Sequence, residues 1–255
     1  MSATQTDEPK LVLPGRSEPA GAGWTWIAEG WGLFAKSPVM WIIAIILLVI
    51  IAVALAFVPI LGQVAYQLLT PVFSAGLVVA CRSLESGGDF ELEHIFAGFK
   101  THFGSLVIVG LLTMLGWIAI FLVFAMFAGF GLLAAMLTGS PDSMLVAAGA
   151  SATTILLGVL VGLALAVPLI AAYWFAPALV VIHGMAPIAA MKASFWGCFR
   201  NFIPFLVYGI IMTVFALLAA IPFALGMLVW VPVAITSGYA AYRHIYTEGG
   251  AVVPA

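Results

Sequence analysis

Long apolar stretches alternate along this chain with short segments that hold nearly all of its charged residues. The stretches 38–58 and 64–81 contain no charged side chain. A helix rises about 1.5 Å per residue, so about 20 apolar residues cross a bilayer hydrocarbon core that is about 30 Å thick. Because Pro59-Ile60-Leu61-Gly62 between the two stretches is typical of a turn, the pattern predicts a hairpin of two transmembrane helices.

The middle of the chain predicts two more spans. The uncharged stretch 103–137 would measure about 50 Å as one straight helix, which exceeds the thickness of the bilayer core. We therefore expect the chain to bend at Gly129-Phe130-Gly131 and to continue as a short interfacial segment. A fourth span is predicted over 153–182, with kinks at Pro168 and Pro177.

The last apolar block, 202–242, is about twice as long as one crossing. Ile221-Pro222 in its middle favours a turn. The block is therefore predicted to form spans five and six, and the chain to cross the membrane six times.

The distribution of charge predicts the orientation. On the six-span scheme one set of loops carries only Asp142 as a charged residue. All eight basic residues lie on the other side, and they are Lys10, Arg16, Lys36, Arg82, Lys100, Lys192, Arg200 and Arg243. Since loops in the cytoplasm carry the excess of Lys and Arg, this side and both termini are predicted to be cytoplasmic.

An internal repeat accompanies the spans. Four residues recur at a constant offset, because Phe96, Gly98, Phe103 and Gly110 return as Phe195, Gly197, Phe202 and Gly209. A looser third copy is Gly32-Leu33-Phe34-Ala35-Lys36. The returning spans repeat as well, since Pro71-Val72 precedes Arg82 by the same distance as Pro232-Val233 precedes Arg243, with Pro177 as the middle counterpart.

Before each outward span lies a segment whose apolar residues have helical spacing and whose end is basic, at Lys36, Lys100 or Arg200. Cations at these ends suit both the helix dipole and lipid headgroups, so we expect amphipathic helices that lie flat on the membrane. The predicted fold is all-α, a polytopic membrane protein whose six transmembrane helices form three repeats of an interfacial amphipathic helix plus a helical hairpin. All copies share one topology, unlike the inverted repeats of many secondary transporters.

The predicted domains are a cytoplasmic tail, a single transmembrane domain and a short C-terminal tail. They cover residues 1–23, 24–247 and 248–255, and the repeats within the transmembrane domain cover about 24–83, 89–183 and 187–247. The first tail is rich in Pro, Gly, Ser, Thr and Glu and is predicted to be disordered. It has no secretory-signal pattern, so the first span is expected to remain as an anchor.

Composition supports a membrane protein and excludes nucleic acid as a partner. Hydrophobic residues make up 65% of the chain, charged residues make up 7%, and the mean hydropathy is +1.24. A soluble protein of this size needs a more highly charged surface. The net charge of -2 and the lack of a basic cluster argue against phosphate binding.

Three segments carry a resemblance to a known family: Gly23-Trp24-Thr25-Trp26-Ile27-Ala28-Glu29-Gly30-Trp31-Gly32-Leu33-Phe34, Ser74-Ala75-Gly76-Leu77 and His94-Ile95-Phe96-Ala97-Gly98-Phe99. The chain beyond the tail resembles a family of uncharacterised proteobacterial six-span inner-membrane proteins. The resemblance implies a location in the bacterial inner membrane and a fold, but no catalytic residues. The layout is remotely similar to the membrane domain of glycerophosphoryl diester phosphodiesterases. Their soluble domain and its metal site have no counterpart here, so their activity is not implied.

A search for chemistry assigns no catalytic, cofactor or metal residue. The predicted spans hold no ionisable side chain, HExxH motif or paired aspartate, which argues against a proton pump or an intramembrane protease. His94, His102, His183 and His244 fall near the cytoplasmic boundary without metal-ligand spacing, so hydrogen bonding there is favoured over a metal or proton-sensing cluster. Cys81 and Cys198 are interpreted as packing residues.

Three other features keep a structural and a functional interpretation. Glu29, Glu85, Asp89, Glu91 and Glu93 form either a solvated surface or a docking surface for a protein partner. The repeated prolines either kink the returning helices for packing or expose carbonyls to a site. Gly158 and Gly162 allow close helix packing, which we expect within the monomer rather than in a dimer.

Two functional hypotheses follow. The first is a non-enzymatic membrane protein that binds lipids, and a protein partner at the cytoplasmic face, as a scaffold, assembly factor or envelope-homeostasis component. The alternative is a facilitator or exporter of small neutral or apolar solutes. Its polar contacts would come from Gln63, Gln67, Thr113, Thr154, Tyr208, Thr213, Thr236 and Tyr239.

Overall fold

A computed structural model describes residues 10–137, 141–221 and 223–248, and within these ranges the chain forms helices and no strand. The helices are α1 (Ala22–Lys36), α2 (Pro38–Ala56), α3 (Leu61–Glu85), a 3₁₀ helix (Leu92–Phe96), α4 (Ala97–Lys100), α5 (Phe103–Leu137), α6 (Pro141–Trp174), α7 (Ala176–His183), α8 (Pro187–Arg200), α9 (Phe202–Ala220) and α10 (Met227–Tyr246). The all-α fold class is confirmed.

Helical stretches long and apolar enough to cross a membrane number five within the described ranges. They are Pro38–Ala56, Leu61–Glu85, Phe103–Phe127, Ala152–His183 and Phe202–Ala220. The predicted sixth span corresponds to α10, which has 20 residues but is not one of the five. Its C-terminal part carries Tyr239, Tyr242, Arg243 and His244, and these side chains lower its hydropathy.

The first hairpin forms where the turn residues predicted it. Pro38 begins α2, a position where its missing N–H leaves no helical hydrogen bond unmade. Between α2 and α3, Ile60 has a positive φ of 63°. A Cβ on Gly62 would collide with the carbonyl of Leu55, so glycine at this position lets the two helices approach. The turn at 59–62 is therefore both a conformational and a packing requirement.

The structure differs from the prediction near the middle of the chain. α5 continues through Gly129-Phe130-Gly131, so the helix does not end at the predicted bend. Residues 138–140, in the predicted interfacial segment, lie outside the described residues. α6 continues through Pro168, and a kink there stays a prediction. The helix is interrupted at Phe175, two residues before Pro177. A proline is tolerated in the first turn of a new helix, which explains why α7 restarts there.

The turn predicted at Ile221-Pro222 lies between the end of α9 at Ala220 and the start of α10 at Met227. Pro222 itself lies outside the described residues. Ala224 N–H donates a hydrogen bond to Ala220 O at 3.0 Å, which closes one further turn after α9. The last apolar block is therefore two helices.

Two of the three predicted surface helices are continuous α-helices, α1 and α8, and the third is not. Its residues form the 3₁₀ helix and the single turn of α4. Glu91 and His94 cap the 3₁₀ helix reciprocally, since each side chain bonds the other's backbone N–H. The last turns of α1, α4 and α8 contain Lys36, Lys100 and Arg200, as the sequence predicted.

The chain divides into two compact units. Unit one comprises residues 1–110 and 172–255, and unit two comprises Leu111–Ala171. In unit two a Cβ on Gly158 would lie 2.8 Å from Cβ of Phe127, and one on Gly116 would lie 2.6 Å from a methyl of Leu169. Gly158 therefore allows close packing inside unit two, whereas a Cβ on Gly162 would lie 3.9 Å from Ile120 Cγ2, an ordinary contact. That the GxxxG pattern packs within the monomer rather than in a dimer stays a prediction.

The core of unit one is made by residues of α1 to α3, the 3₁₀ helix, the first turns of α5, and α7 to α10. Its largest fully buried side chains include Trp26, Trp41, Phe175, Tyr242 and Tyr246. α1 packs along α10, the 3₁₀ helix and α4 pack on α3, and α8 packs on α7. The first two contacts are close enough to need glycine, at Gly30, Gly76 and Gly98. Between α8 and α7, Phe175 N–H donates to Ser194 Oγ at 2.9 Å.

The segment before α1 is hydrogen-bonded to the rest of unit one. Val12 N–H donates to Tyr246 O at 2.8 Å, and Glu18 N–H donates to Asn201 Oδ1 at 2.7 Å. Asn201 Nδ2 donates in turn to Arg16 O at 2.8 Å. These contacts belong to the last part of the segment predicted as a disordered tail, whose residues 1–9 lie outside the described residues. Composition alone did not predict them.

Candidate functional site

Unit one brings together five polar side chains from three helices. They are Glu29 of α1, Glu85 of α3, and Tyr239, Arg243 and His244 of α10, and we call them the polar cluster. Arg243 Nη2 donates to Glu29 Oε2 at 2.6 Å, and Arg243 Nη1 forms an ion pair with Glu85 Oε1. Tyr239 OH donates to Glu85 Oε2 at 2.6 Å. One guanidinium group therefore bridges two carboxylates.

Local sequence explains how α1 and α10 come close enough to form this cluster. Gly30 follows Glu29, and a Cβ at this position would lie 2.5 Å from the backbone nitrogen of Ser237. Thr236 Oγ1 donates to Gly30 O at 2.8 Å, which fixes the two helices at the same point. Arg243 lies in the last turn of α10, where a cation is stabilised by the helix dipole.

The cluster is largely withdrawn from solvent. The side chains are 13% exposed for Arg243, 21% for Glu29 and 23% for Glu85. Arg243 Nε is buried and has no hydrogen-bond partner among the described residues. Since an unpaired buried charge costs several kcal/mol, each partner is needed to keep the others where they are.

Three of the four histidines near the predicted cytoplasmic boundary, His94, His183 and His244, make separate contacts. His244 Nε2 lies 3.0 Å from Glu29 Oε1, and His183 Nε2 lies 2.6 Å from Tyr242 OH. His94 Nδ1 accepts from Glu91 N–H at 3.1 Å. Within the described ranges, no group of three or more His, Cys, Asp or Glu residues could hold a metal ion. Each of these three histidines has a separate hydrogen-bonding contact.

The predicted acidic surface divides into two parts. Glu29 and Glu85 turn inward to Arg243, while Glu93 is exposed and pairs with Lys100 at 3.1 Å. Asp89 and Glu91 are also exposed.

The polar cluster was therefore missed by sequence reasoning. Its one signal was that Glu29 is the sole charged residue between Glu18 and Lys36, which is typical of a buried ion-pair partner.

Of the polar side chains proposed for a solute path, those of unit one make separate contacts. Tyr208 OH lies 2.9 Å from Ser237 Oγ, in the contact of α9 with α10. Thr213 Oγ1 donates to Gly209 O of its own helix at 2.7 Å, and Gln63 is exposed. Tyr239 lines a cavity, but its hydroxyl is bonded to Glu85. The solute-path hypothesis stays a prediction.

Two adjoining cavities lie among the helices of unit one. The central cavity, of about 170 Å³, lies between α3, the α6–α7 junction and α10. The outer cleft, of about 230 Å³, lies between α2, α3 and α10. Both are lined by Ser74, Leu77 and Ile235, so these residues separate them. Of the repeated prolines, Pro177 lines the central cavity.

Both cysteines lie in the described ranges, and neither is in a disulfide. Cys81 is fully buried. Burial raises the pKa of the Cys198 thiol to about 12, and a hydrogen bond with Ser194 only partly opposes this shift. Since the thiolate is the reactive form, this shift disfavours reaction of Cys198 near neutral pH, and a packing role is consistent with its position.

Comparison with known proteins supports a membrane location. The chain is 29% identical over 246 residues to a protein of Burkholderia thailandensis described as a probable inner membrane protein, and the match covers 88% of this chain and 90% of that protein. No protein-family model and no solved structure matches the chain. The similarity to phosphodiesterase membrane domains stays a prediction. Together with the apolar helices, the match identifies an integral membrane protein similar to one of the bacterial inner membrane.

Proposed function

We propose that this protein is a non-enzymatic scaffold, assembly factor or envelope-homeostasis component of the bacterial inner membrane, and that it works through contacts with lipids and a protein partner. The observation that carries the proposal is the pairing of Arg243 with both Glu29 and Glu85. These charges are half-buried between helices of unit one, and their mutual pairing suits a structural role better than proton transfer or catalysis. We therefore assign the proposed contacts with lipids and a protein partner to the outer surface of the protein.

The six-span, three-repeat architecture is part of this proposal. α10 serves as the sixth span, with its polar end at the membrane surface. Each surface element packs on a returning helix with a proline, since α1 contacts α10 (Pro232), α4 contacts α3 (Pro71) and α8 contacts α7 (Pro177). This common packing supports descent of the three parts from one unit.

The lipid contacts in the proposal rest on exposed aromatic side chains. Trp31 of α1, Phe99 of α4, and Trp196 and Phe199 of α8 are all exposed. Such rings favour the interface between headgroups and hydrocarbon. The basic ends of the same three helices lie nearby in sequence, which suits contact with anionic headgroups.

The partner contact in the proposal uses the exposed acidic side chains of Asp89 and Glu93. We expect the tagged full chain, purified from its own membrane in mild detergent, to retain a partner in constant ratio. Asp89→Asn with Glu93→Gln should lower the retained amount about tenfold, a loss of ~1.4 kcal/mol. Glu248→Gln is the matched control, because Glu248 is exposed and its ion pair with Lys10 is 3.9 Å long.

A clean monomer with no retained partner would contradict the proposed scaffold role. Equal retention by the double variant and by the Glu248 control would contradict the acidic surface as the point of contact. Quantitative mass spectrometry of the eluted complexes measures both quantities.

The orientation can be tested by thiol labelling. We expect Lys10→Cys and Gly250→Cys to react with a membrane-impermeant maleimide only after permeabilisation, and Asp142→Cys to react in intact spheroplasts, because basic loops stay in the cytoplasm. The unsubstituted chain is the control and should stay unlabelled, since Cys81 is buried and Cys198 is mostly protonated. Labelling of position 10 in intact spheroplasts would reverse the orientation.

A further inference from the structure

The central cavity and the outer cleft adjoin at their shared lining residues Ser74, Leu77 and Ile235, and they differ in chemistry. The outer cleft is lined mainly by aliphatic residues of α2 and α3. Its lining residues Val49 and Tyr66 are 53% and 46% exposed, so the cleft reaches the lipid-facing surface. The central cavity lies behind Ser74 and has aromatic walls and hydroxyl groups. A molecule dissolved in the bilayer could therefore enter the cleft laterally.

The hydroxyl groups around the central cavity differ in whether they already have a short hydrogen bond to a partner. Tyr239 OH donates to Glu85, and Tyr242 OH lies 2.6 Å from His183 Nε2, so both already have strong partners. Ser74 Oγ and Tyr173 OH lie 3.3 Å apart, which exceeds the usual hydroxyl distance of about 2.7–2.8 Å. Each hydroxyl can donate once and accept twice, so this pair keeps capacity for a third polar group.

The lining also limits the charge and size of a ligand. Among the described residues, neither space is lined by a Lys, Arg, Asp or Glu side chain. A charged ligand would therefore be buried without a counterion, which is costly in an apolar environment. The cleft of about 230 Å³ is smaller than a typical drug-sized pocket of about 300–1,000 Å³, so it suits one acyl or isoprenoid chain rather than two.

We propose that Ser74 and Tyr173 bind the hydroxyl head of a neutral, single-chain, long-chain alcohol drawn from the bilayer, with its chain in the outer cleft. The ligand hydroxyl bridges Ser74 Oγ and Tyr173 OH in place of their long direct contact. Tyr239 and Tyr242 form the wall of the central cavity that limits how far the hydroxyl end of the ligand can enter. This site is independent of the proposed scaffold role, because it uses neither the acidic surface nor the surface helices.

The test uses a long-chain primary alcohol that carries a diazirine in its chain and a terminal alkyne. The probe is irradiated with the full-length protein in lipid nanodiscs, and labelled peptides are identified by mass spectrometry. We expect saturable labelling of α2 and α3 beside the outer cleft. An unlabelled alcohol of equal length should compete, and the fatty acid of equal length at neutral pH should compete about tenfold less well, equal to ~1.4 kcal/mol.

Gly238 offers a substitution that fills the central cavity. It lines the cavity, and a Cβ at this position would meet nothing within 4 Å. Gly238→Leu should therefore reduce saturable labelling about tenfold by occupying the space of the head group. Gly209→Leu is the matched control, because Gly209 is also helical and half-buried, has the same open space, and lies outside both cavities.

Ser74→Ala provides a second variant that removes a hydroxyl without adding volume. We expect it to weaken alcohol binding several-fold, because a hydrogen bond contributes about 0.5–1.5 kcal/mol. It should not weaken labelling by the corresponding alkane probe, which has no hydroxyl.

Equal labelling of Gly238→Leu and Gly209→Leu, non-saturable labelling, or equal competition by the fatty acid would overturn the proposed site.

Discussion

Arg243→Met is expected to lower the free energy of unfolding by about 3 kcal/mol, because it removes the guanidinium group that two half-buried carboxylates share. Arg243 bridges Glu29 and Glu85 and is 13% exposed. The substitution keeps most of the side-chain volume, so the loss reports charge rather than packing. The fraction of detergent-solubilised monomer that survives heating, followed by size-exclusion chromatography, measures the effect.

Removing the carboxylates as well should restore much of the lost stability. In the triple variant Arg243→Met, Glu29→Met, Glu85→Met no buried charge remains unpaired, and replacement of a whole ion-pair network by apolar residues is often neutral. Lys100→Met is the surface control, because its pair with Glu93 is exposed and should contribute less than about 1 kcal/mol. A similar loss in Lys100→Met and Arg243→Met would disprove the special role of the polar cluster.

The second large effect is expected at the crossing of α1 with α10. Gly30→Ala should destabilise the protein by about 1–3 kcal/mol, because overpacking forces the backbones apart. The new Cβ would lie 2.5 Å from Ser237 N and 2.6 Å from Ser237 Cα, and these backbone atoms cannot rotate away. The same displacement would move Glu29 from Arg243, so the polar cluster should weaken together with the helix contact.

Gly32→Ala is the matched control for this prediction. It lies two residues further along α1, and its Cβ would meet nothing within 4 Å. Alanine is the better helix former by up to about 1 kcal/mol, so this variant should be as stable as the original chain or more stable. Limited proteolysis and heating in detergent should therefore give opposite shifts for the two variants. Equal destabilisation of both would contradict the close crossing.

The fold was predictable to the extent that it depends on local hydrophobicity. The runs 38–58 and 202–220 have apolar residues on every side of a helix, and they form α2 and α9. An uncharged stretch of that length satisfies its backbone hydrogen bonds in a bilayer only as a helix, so its structure follows from its own sequence. The exact helix limits were less predictable. α5 continues past Gly129–Gly131, since glycine in a helix costs only about 1 kcal/mol relative to alanine and does not by itself end the helix.

The candidate sites were far less predictable. Glu29 and Arg243 are 214 residues apart, and no local spacing relates them. Ser74 and Tyr173 are ordinary polar residues in apolar helices, and their 3.3 Å contact depends on how α3 meets the end of α6. The five acidic residues predicted to share one surface fall into two environments: Glu29 and Glu85 face Arg243, whereas Asp89, Glu91 and Glu93 are exposed. The sequence did not show this difference, because burial depends on which neighbour a helix packs against.

The amino-acid sequence by itself determined that this chain is helical and belongs in a membrane, because transfer of uncharged helices into hydrocarbon is a property of each segment alone. It also determined where α1, α4 and α8 carry their basic ends. Only the tertiary structure decided that Glu29, Glu85 and Arg243 form a half-buried ion-pair network and that Ser74 and Tyr173 meet at a cavity. The physical reason is that ion pairs, hydrogen bonds and cavities depend on distances between helices, and glycine contacts such as Gly30 with Ser237 set those distances.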